Sequence, residues 1–225
     1  MRSLVHLSLT LLCLAAPAAA EEIVGTARVS DGDTIRVGGT KVRIHGIDTP
    51  EIDQTCRTEH GHDFDCGRAA ADWARDAWEG RWMRCERLDT DRYGRAVATC
   101  WLGEADIAEA IVREGYAWAY VEYSSKYLDA QEAAQADAAG LWAVTQDAPW
   151  EHRAELREIR RTAARAQVPP DPGCAIKGNV SGNGRIYHVP GGRDYDATVI
   201  STDRGERWFC SAAEAEREGW RAARR

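Results

Sequence analysis

Residues 41–51 read KVRIHGIDTPE. Val42 and Ile44 alternate with polar neighbours, the pattern of a half-buried strand, and the run then exits into Asp48-Thr49-Pro50-Glu51. Arg43, Asp48 and Glu51 fall within nine positions of one another. Charges at the end of a buried strand are costly unless they are paired or directed at a charged ligand. The stretch is therefore either an ordinary strand exit or one wall of a site.

Two more β-rich runs lie upstream, IVGTARV (23–29) and TIRV (34–37), punctuated by SDGD and GGT. Downstream, GRAAADWARDAWEG (67–80) sets Ala70, Trp73, Ala74, Ala77 and Trp78 at helical spacing and stops at Gly80. RWMRCERL (81–88) and AVATCWL (96–102) then flank the turn TDRYGR (90–95). Asp106-Ile107-Ala108-Glu109 has the form of a capping box and opens a short helix ending at Gly115. SSKYLDAQEAAQADAAG (124–140) reads as a helix from a Ser cap to a terminal Gly. Periodicity by itself supports an α+β fold with a small antiparallel sheet. Five short strands with an intervening helix fit a five-stranded barrel of the OB type with packed helices.

The first twenty residues, MRSLVHLSLTLLCLAAPAAA, join an early Arg2 to an apolar stretch from Leu4 to Ala16 and a small-residue end at Ala18-Ala19-Ala20. That is the pattern of a cleaved secretory signal peptide, which places the protein in the periplasm or the medium. No later run approaches the roughly 18 apolar residues of a membrane span. Without the leader, 28 Lys and Arg face 36 Asp and Glu, a formal charge of −8. Such an acidic chain has no global pull on nucleic acid or anionic lipid, so an anionic ligand needs local cations or a metal.

Six cysteines follow the leader: Cys56, Cys66, Cys85, Cys100, Cys174 and Cys210. An even number in an exported chain reads as disulfides. A hairpin centred between Arg92 and Tyr93 sets Cys85 opposite Cys100, within bridging reach. Cys56 and Cys66 flank a short polar loop, which leaves Cys174 and Cys210. The rival for the first pair is a zinc site with His60 and His62, although the spacing is not a standard ligand pattern.

After Trp142 the composition changes. WEHRAELREIRRTAARAQ (150–167) reads as a solvated connecting helix, and VPPDPG (168–173) as a linker. The expected organisation is a leader at 1–20, a barrel domain at 21–148, a charged helix and Pro-rich linker at 149–173, and a small β-rich module at 174–225 closed by Cys174–Cys210. Ser211-Ala212-Ala213-Glu214 caps a final helix ending near Gly219. From Lys177 onward the module carries nine Lys and Arg against seven Asp and Glu, a charge of +2. Tyr187 and Trp208 are read as its small core, with His188 beside them.

Asp31-Gly32-Asp33-Thr34 and TDRYGR are each plain turns when taken singly. On an OB barrel, however, turns and strand ends gather along one face. Asp33 and Asp48 then suit a hard cation, Glu51 a base, and Arg43 and Arg95 a phosphate. Those are the parts of metal-assisted phosphodiester hydrolysis.

DGDT (31–34), KVRIHGIDTPE (41–51) and DRYGR (91–95), in that order and spacing, resemble the staphylococcal nuclease family, as does the run from DIAEAIVREGYAWAYVEYSSKY to AAGLW. The likeness covers roughly 23–150, and three linked motifs are far more specific than one. The resemblance implies metal ligation by Asp33, Asp48 and the Thr49 carbonyl, phosphate binding by Arg43 and Arg95, and a general base at Glu51. It implies a nucleotide pocket lined by Tyr93 and Tyr123, with a further slot open between Tyr120 and Val121. It also implies calcium-dependent cleavage of DNA and RNA to 3′-phosphate ends by a monomer. Two departures stand out: the chain is acidic, and it has an insert between Cys56 and Cys66 beside Glu51. His45, a lone strand histidine, reads as structural. The tail is similar to a small module appended to other secreted bacterial nuclease-like proteins. The reading from a different class is a noncatalytic OB-fold binder of nucleic acid or saccharide, which would have no need of Glu51 and both aspartates.

Overall fold

A computed structural model describes residues 21–224; the leader expectation lies outside them. The described chain divides into two compact units, one up to Thr145 and one from Gln146 onward.

The first unit is a closed barrel. Strands β1 (Glu22–Val29), β2 (Thr34–Val37), β3 (Thr40–Ile44), β4 (Trp82–Thr90) and β5 (Ala96–Leu102) run in the order β3-β2-β1-β4-β5. A parallel pairing of β3 with β5, Val42↔Ala96 through Ile44↔Ala98, shuts the ring. Closure works because β1 serves two neighbours. Its first half pairs with β4 from Glu22↔Glu86 to Thr26↔Trp82, and its second half with β2 from Ala27↔Val37 to Val29↔Ile35. Alternate residues point inward, so Ile23, Ala27, Ile35, Val37, Val42, Ile44, Met83 and Ala98 fill the interior. Helices α1 (Cys66–Trp78) and α2 (Ile107–Arg113) add Ala74, Trp78, Ile107 and Ile111 to the same core, with Tyr127 beside them. Losing a core side chain such as Ile44 to Ala costs about 2–5 kcal/mol.

Two local expectations are corrected. The run at 41–47 is not one strand. β3 ends at Ile44, Gly46 turns the chain at φ 75°, and Ile47–Asp48 forms a separate short pair with Trp118–Ala119. A Cβ at Gly46 would also lie 3.0 Å from the Tyr127 ring, so the break is built into the packing. The helix expected over 124–140 is shorter: α3 spans Leu128–Ala136 and starts after Tyr127, with no side-chain cap. The residues before it turn instead, with Tyr123 and Ser124 N–H both donating to Tyr120 O. By contrast α2 starts where expected, the Asp106 carboxylate accepting from Ala108 and Glu109 N–H at 2.9 and 3.4 Å.

All three disulfides, Cys56–Cys66, Cys85–Cys100 and Cys174–Cys210, are present. With Cys56 and Cys66 joined to each other, the zinc alternative loses its thiolates. The insert they close is a small ladder, Cys56–Arg57 against Asp63–Phe64.

The second unit is built on a four-stranded sheet. Strands β6 (Ile176–Ser181), β7 (Gly184–His188), β8 (Arg207–Phe209) and β9 (Arg221–Ala222) are ordered β8-β6-β7-β9, with the last pair parallel. Tyr187, Phe209, Ala215 and Trp220 form its core, and Ser211 caps α5 (Ala212–Arg217). Trp208 is only half-buried, with its ring 5.4 Å from Lys177 Nζ. The charged helix α4 (Pro149–Ala166) packs within this unit rather than connecting to it: Lys177 Nζ donates to Ala164 O at 3.0 Å. Just past its end, Gln167 exchanges two hydrogen bonds with Ile200. Among the described residues no helix is long and apolar enough to cross a membrane.

Candidate active site

The site begins with backbone turns that leave side chains free to converge. Asp31 Oδ1 accepts from Asp33 N–H at 3.2 Å and Thr34 N–H at 2.6 Å, which fixes the turn into β2. Asp33 is thereby held at the mouth of the barrel, its carbonyl accepting from Ile44 N–H at 2.8 Å. Thr34 pairs with Arg43 across β2 and β3, so the Asp-Gly-Asp-Thr turn and the Arg43 strand face the same end. The short Ile47–Asp48 pair then returns Asp48 toward them.

Asp33 and Asp48 are 7 % and 1 % exposed, and Arg43 lies between them. Arg43 Nη2 donates to Asp48 Oδ1 at 2.9 Å and to Ile47 O at 3.2 Å, while Nη1 pairs with Asp33 Oδ2. Thr49 adds two donors to the same Asp33 oxygen, from its N–H at 3.2 Å and its hydroxyl at 3.1 Å. The other Asp33 oxygen accepts from Thr34 Oγ1 at 3.1 Å. Thr34 is also the bridge to the second arginine, because Arg95 Nη1 donates to its hydroxyl at 3.1 Å.

Arg95 is aimed by the hairpin tip. Asp91 Oδ2 accepts from Arg95 Nε at 2.6 Å, and Asp91 Oδ1 accepts from Tyr93 and Arg95 N–H, both at 2.9 Å. Burial pushes the Asp91 carboxyl up, but these hydrogen bonds outweigh it and hold its pKa below the ordinary carboxylate value. Burial also pulls the Arg43 pKa down, Asp48 opposes this, and Arg95 adds repulsion. A guanidinium stays protonated through such a shift. Two buried carboxylates thus share one buried guanidinium, while Arg95 is matched by Asp91. The two carboxylates and the backbone carbonyls beside them are oxygen groups of the kind a hard cation takes.

Glu51 follows on the same segment, its N–H donating to Gln54 Oε1 at 3.2 Å. Tyr93 is 70 % exposed at the hairpin tip, with the Arg95 guanidinium 5.6 Å from its ring centre. Tyr123 is exposed and meets Tyr120 edge-on at 4.9 Å. Burial, Glu122 and Asp48 all raise the Tyr120 pKa. Val121, the other residue for the open slot, is exposed like Tyr93 and Tyr123. His45 lies just past the end of β3, its backbone N–H donating to Ala98 O at 2.9 Å. Thr34, Asp91 and Gln54 were not singled out by the sequence as positioning groups. Asp-x-x-Gly, the start of a side-chain-closed turn, was a usable signal for Asp91; Gln54 carried none.

Part of the chain is similar to known proteins. Residues 41–144 match the family model described as Staphylococcal nuclease homologue, a span that holds Arg43, Asp48, Glu51 and Arg95. The succinoglycan biosynthesis protein ExoI of Rhizobium meliloti is 39 % identical over 128 residues, 55 % of this chain and 66 % of the relative. An uncharacterized endonuclease of Haemophilus influenzae is 35 % identical over 123 residues, 52 % and 64 % of the two chains. The thermonuclease of Staphylococcus hyicus is 32 % identical over 128 residues, 54 % and 73 %. The chain thus spans slightly less than two thirds of the first two relatives.

Proposed function

We propose a nuclease function for this chain, which belongs to the staphylococcal nuclease family. The reaction is calcium-dependent hydrolysis of phosphodiester bonds in DNA and RNA, leaving 3′-phosphate ends. The observation that carries it is the arrangement at the barrel mouth. Arg43 sits between Asp33 and Asp48, and Arg95 is tied to the same cluster through Thr34.

Asp33, Asp48 and the Thr49 carbonyl would hold the calcium. When bound, the ion supplies Lewis-acid polarisation of the phosphate and counter-charge in the transition state. Arg43 and Arg95 offer guanidinium donors to the phosphoryl oxygens, and Asp91 already aims Arg95. Glu51 removes the proton from the attacking water. Breaking the bond from phosphorus to the 5′ oxygen leaves the phosphate on the 3′ side. Tyr93 and Tyr123, exposed at the rim, offer stacking faces to the bases.

The three disulfides support export to the periplasm or medium, where such bridges persist. The deciding experiment incubates the purified protein with single-stranded DNA, first with calcium and then with excess chelator. Cleavage that stops on chelation is the expected result. Binding without cleavage in calcium would favour the noncatalytic OB-fold reading. Cleavage that persists in chelator would remove the metal role from Asp33 and Asp48.

A further inference from the structure

The segment that carries Glu51 is fastened to the first turn of α1. Glu51–Gln54 is a tight turn, closed by Gln54 N–H donating to Glu51 O at 2.8 Å. The Gln54 side chain, 2 % exposed, closes it a second time by accepting from Glu51 N–H. The Gln54 carbonyl accepts in turn from Gly67 N–H at 3.2 Å. Gly67 is the second residue of α1, where backbone N–H groups have no partner inside the helix. Asp65, which precedes the helix, makes no side-chain cap, so the Glu51–Gln54 turn takes the place of one.

The fit is specific to glycine. A Cβ at Gly67 would stand 1.7 Å from the Glu51 carbonyl oxygen and 2.6 Å from its carbon. Both are backbone atoms, so a side chain there has to push the Glu51 backbone away. The neighbouring bridge, Cys56–Cys66, fastens the far end of the same segment to the same helix start. Its Cys66 sulfur lies 3.3 Å from Gln54 O, a packing contact, since a bridged sulfur carries no hydrogen. At the near end Pro50 restricts the chain entering Glu51.

We propose that Gly67, Gln54 and the Cys56–Cys66 bridge form a clamp that positions Glu51 against the reacting phosphate. The proposal rests on the nuclease reading. The carboxylate inherits its place from a backbone held at three points, and a displacement of about 1 Å at a reacting group can cost about 10²-fold in rate. The insert beside Glu51 is then a rigid support for it.

The test is a double-mutant cycle on the full chain. Single-turnover cleavage of single-stranded DNA in calcium is measured for Gly67→Ala, Glu51→Gln and the pair, with calcium-dependent nucleotide binding measured alongside. Gly67→Ala is expected to slow cleavage about 10–100-fold while binding changes less than about 2-fold, and to have no further effect once Glu51 is Gln. Normal cleavage by Gly67→Ala, or the same loss in the Glu51→Gln background, overturns the clamp. If Gly67→Ala does not fold, Gln54→Ala and the Cys56→Ser/Cys66→Ser pair replace it. They add no atoms to the joint and should show the same dependence on Glu51 with smaller losses. Unchanged cleavage in both overturns the proposal. A wild-type protein that does not cut DNA in calcium sinks the nuclease reading itself and is seen in the first control.

Discussion

Each unit of the chain buries charge, and the two do so in opposite ways. In the second unit Lys177 is 2 % exposed. Its ammonium donates to three carbonyls, of Ala164 at 3.0 Å, Tyr195 at 3.3 Å and Thr198 at 2.8 Å. The Tyr195 ring centre lies 4.7 Å from the same nitrogen. Three donors meet three acceptors, and nothing is left for a ligand. In the first unit two carboxylates, Asp33 and Asp48, meet on the one guanidinium of Arg43. A buried charge saturated by its own chain is a structural joint. A cluster in which carboxylates and guanidinia converge is a candidate for a charged ligand.

The sharpest way to break that contrast is at Glu51. Glu51→Gln should lower single-turnover cleavage by about 10²–10⁴ with little change in calcium or nucleotide binding. Near-normal cleavage would make the carboxylate an ordinary loop residue. Arg43→Lys comes next. It keeps the charge but cannot reach Asp33, Asp48 and Ile47 O together as the planar fork does, so a loss of at least about tenfold is expected. A variant that cuts as well as wild type would reduce Arg43 to an electrostatic tether. Tyr93→Ala should act more weakly, raising KM about 5–10-fold through loss of one stacking face, with kcat less affected. An unchanged KM would remove Tyr93 from the substrate path.

The same contrast explains what the sequence disclosed. Asp33, Arg43, Asp48 and Arg95 were legible because each sits at a turn or strand end, whereas the break at Gly46 and the aiming of Arg95 by Asp91 were not read. Cys85 opposite Cys100 was also legible, though for a subtler reason. Near the tip the ladder is centred on Tyr93, Thr90 pairing with Ala96, which by itself would put Cys85 out of register. An irregularity between Arg87 and Asp89 restores the pairing of Cys85 with Cys100. Hidden were the features that depend on contacts between distant segments. Nothing local marks Gly67 as the seat of Glu51, or Ala164 as the partner of Lys177. The charged helix α4 therefore read as a connector, although it packs inside the second unit.

The smallest effect on cleavage, and the most direct test of the contrast, is expected from Lys177→Met. Methionine keeps most of the apolar stem but withdraws the donor from three buried carbonyls, which costs about 1–3 kcal/mol for groups left unsatisfied. Because the chain forms two units, a single unfolding midpoint would mix them, and hydrogen exchange read peptide by peptide separates them. Peptides from Ile176–Ser181 and Gly184–His188 should exchange faster in the variant, while those covering Asp33 to Glu51 keep their protection. Cleavage should stay within about twofold, because no proposed site residue lies beyond Tyr123 and substitutions at distant, independent sites act separately. Faster exchange with intact cleavage is the signature of a charge that only builds structure. If Lys177→Met slowed cleavage as much as Arg43→Lys, the second unit would belong to the catalytic machinery, and the division between a saturated joint and a candidate ligand site would be lost.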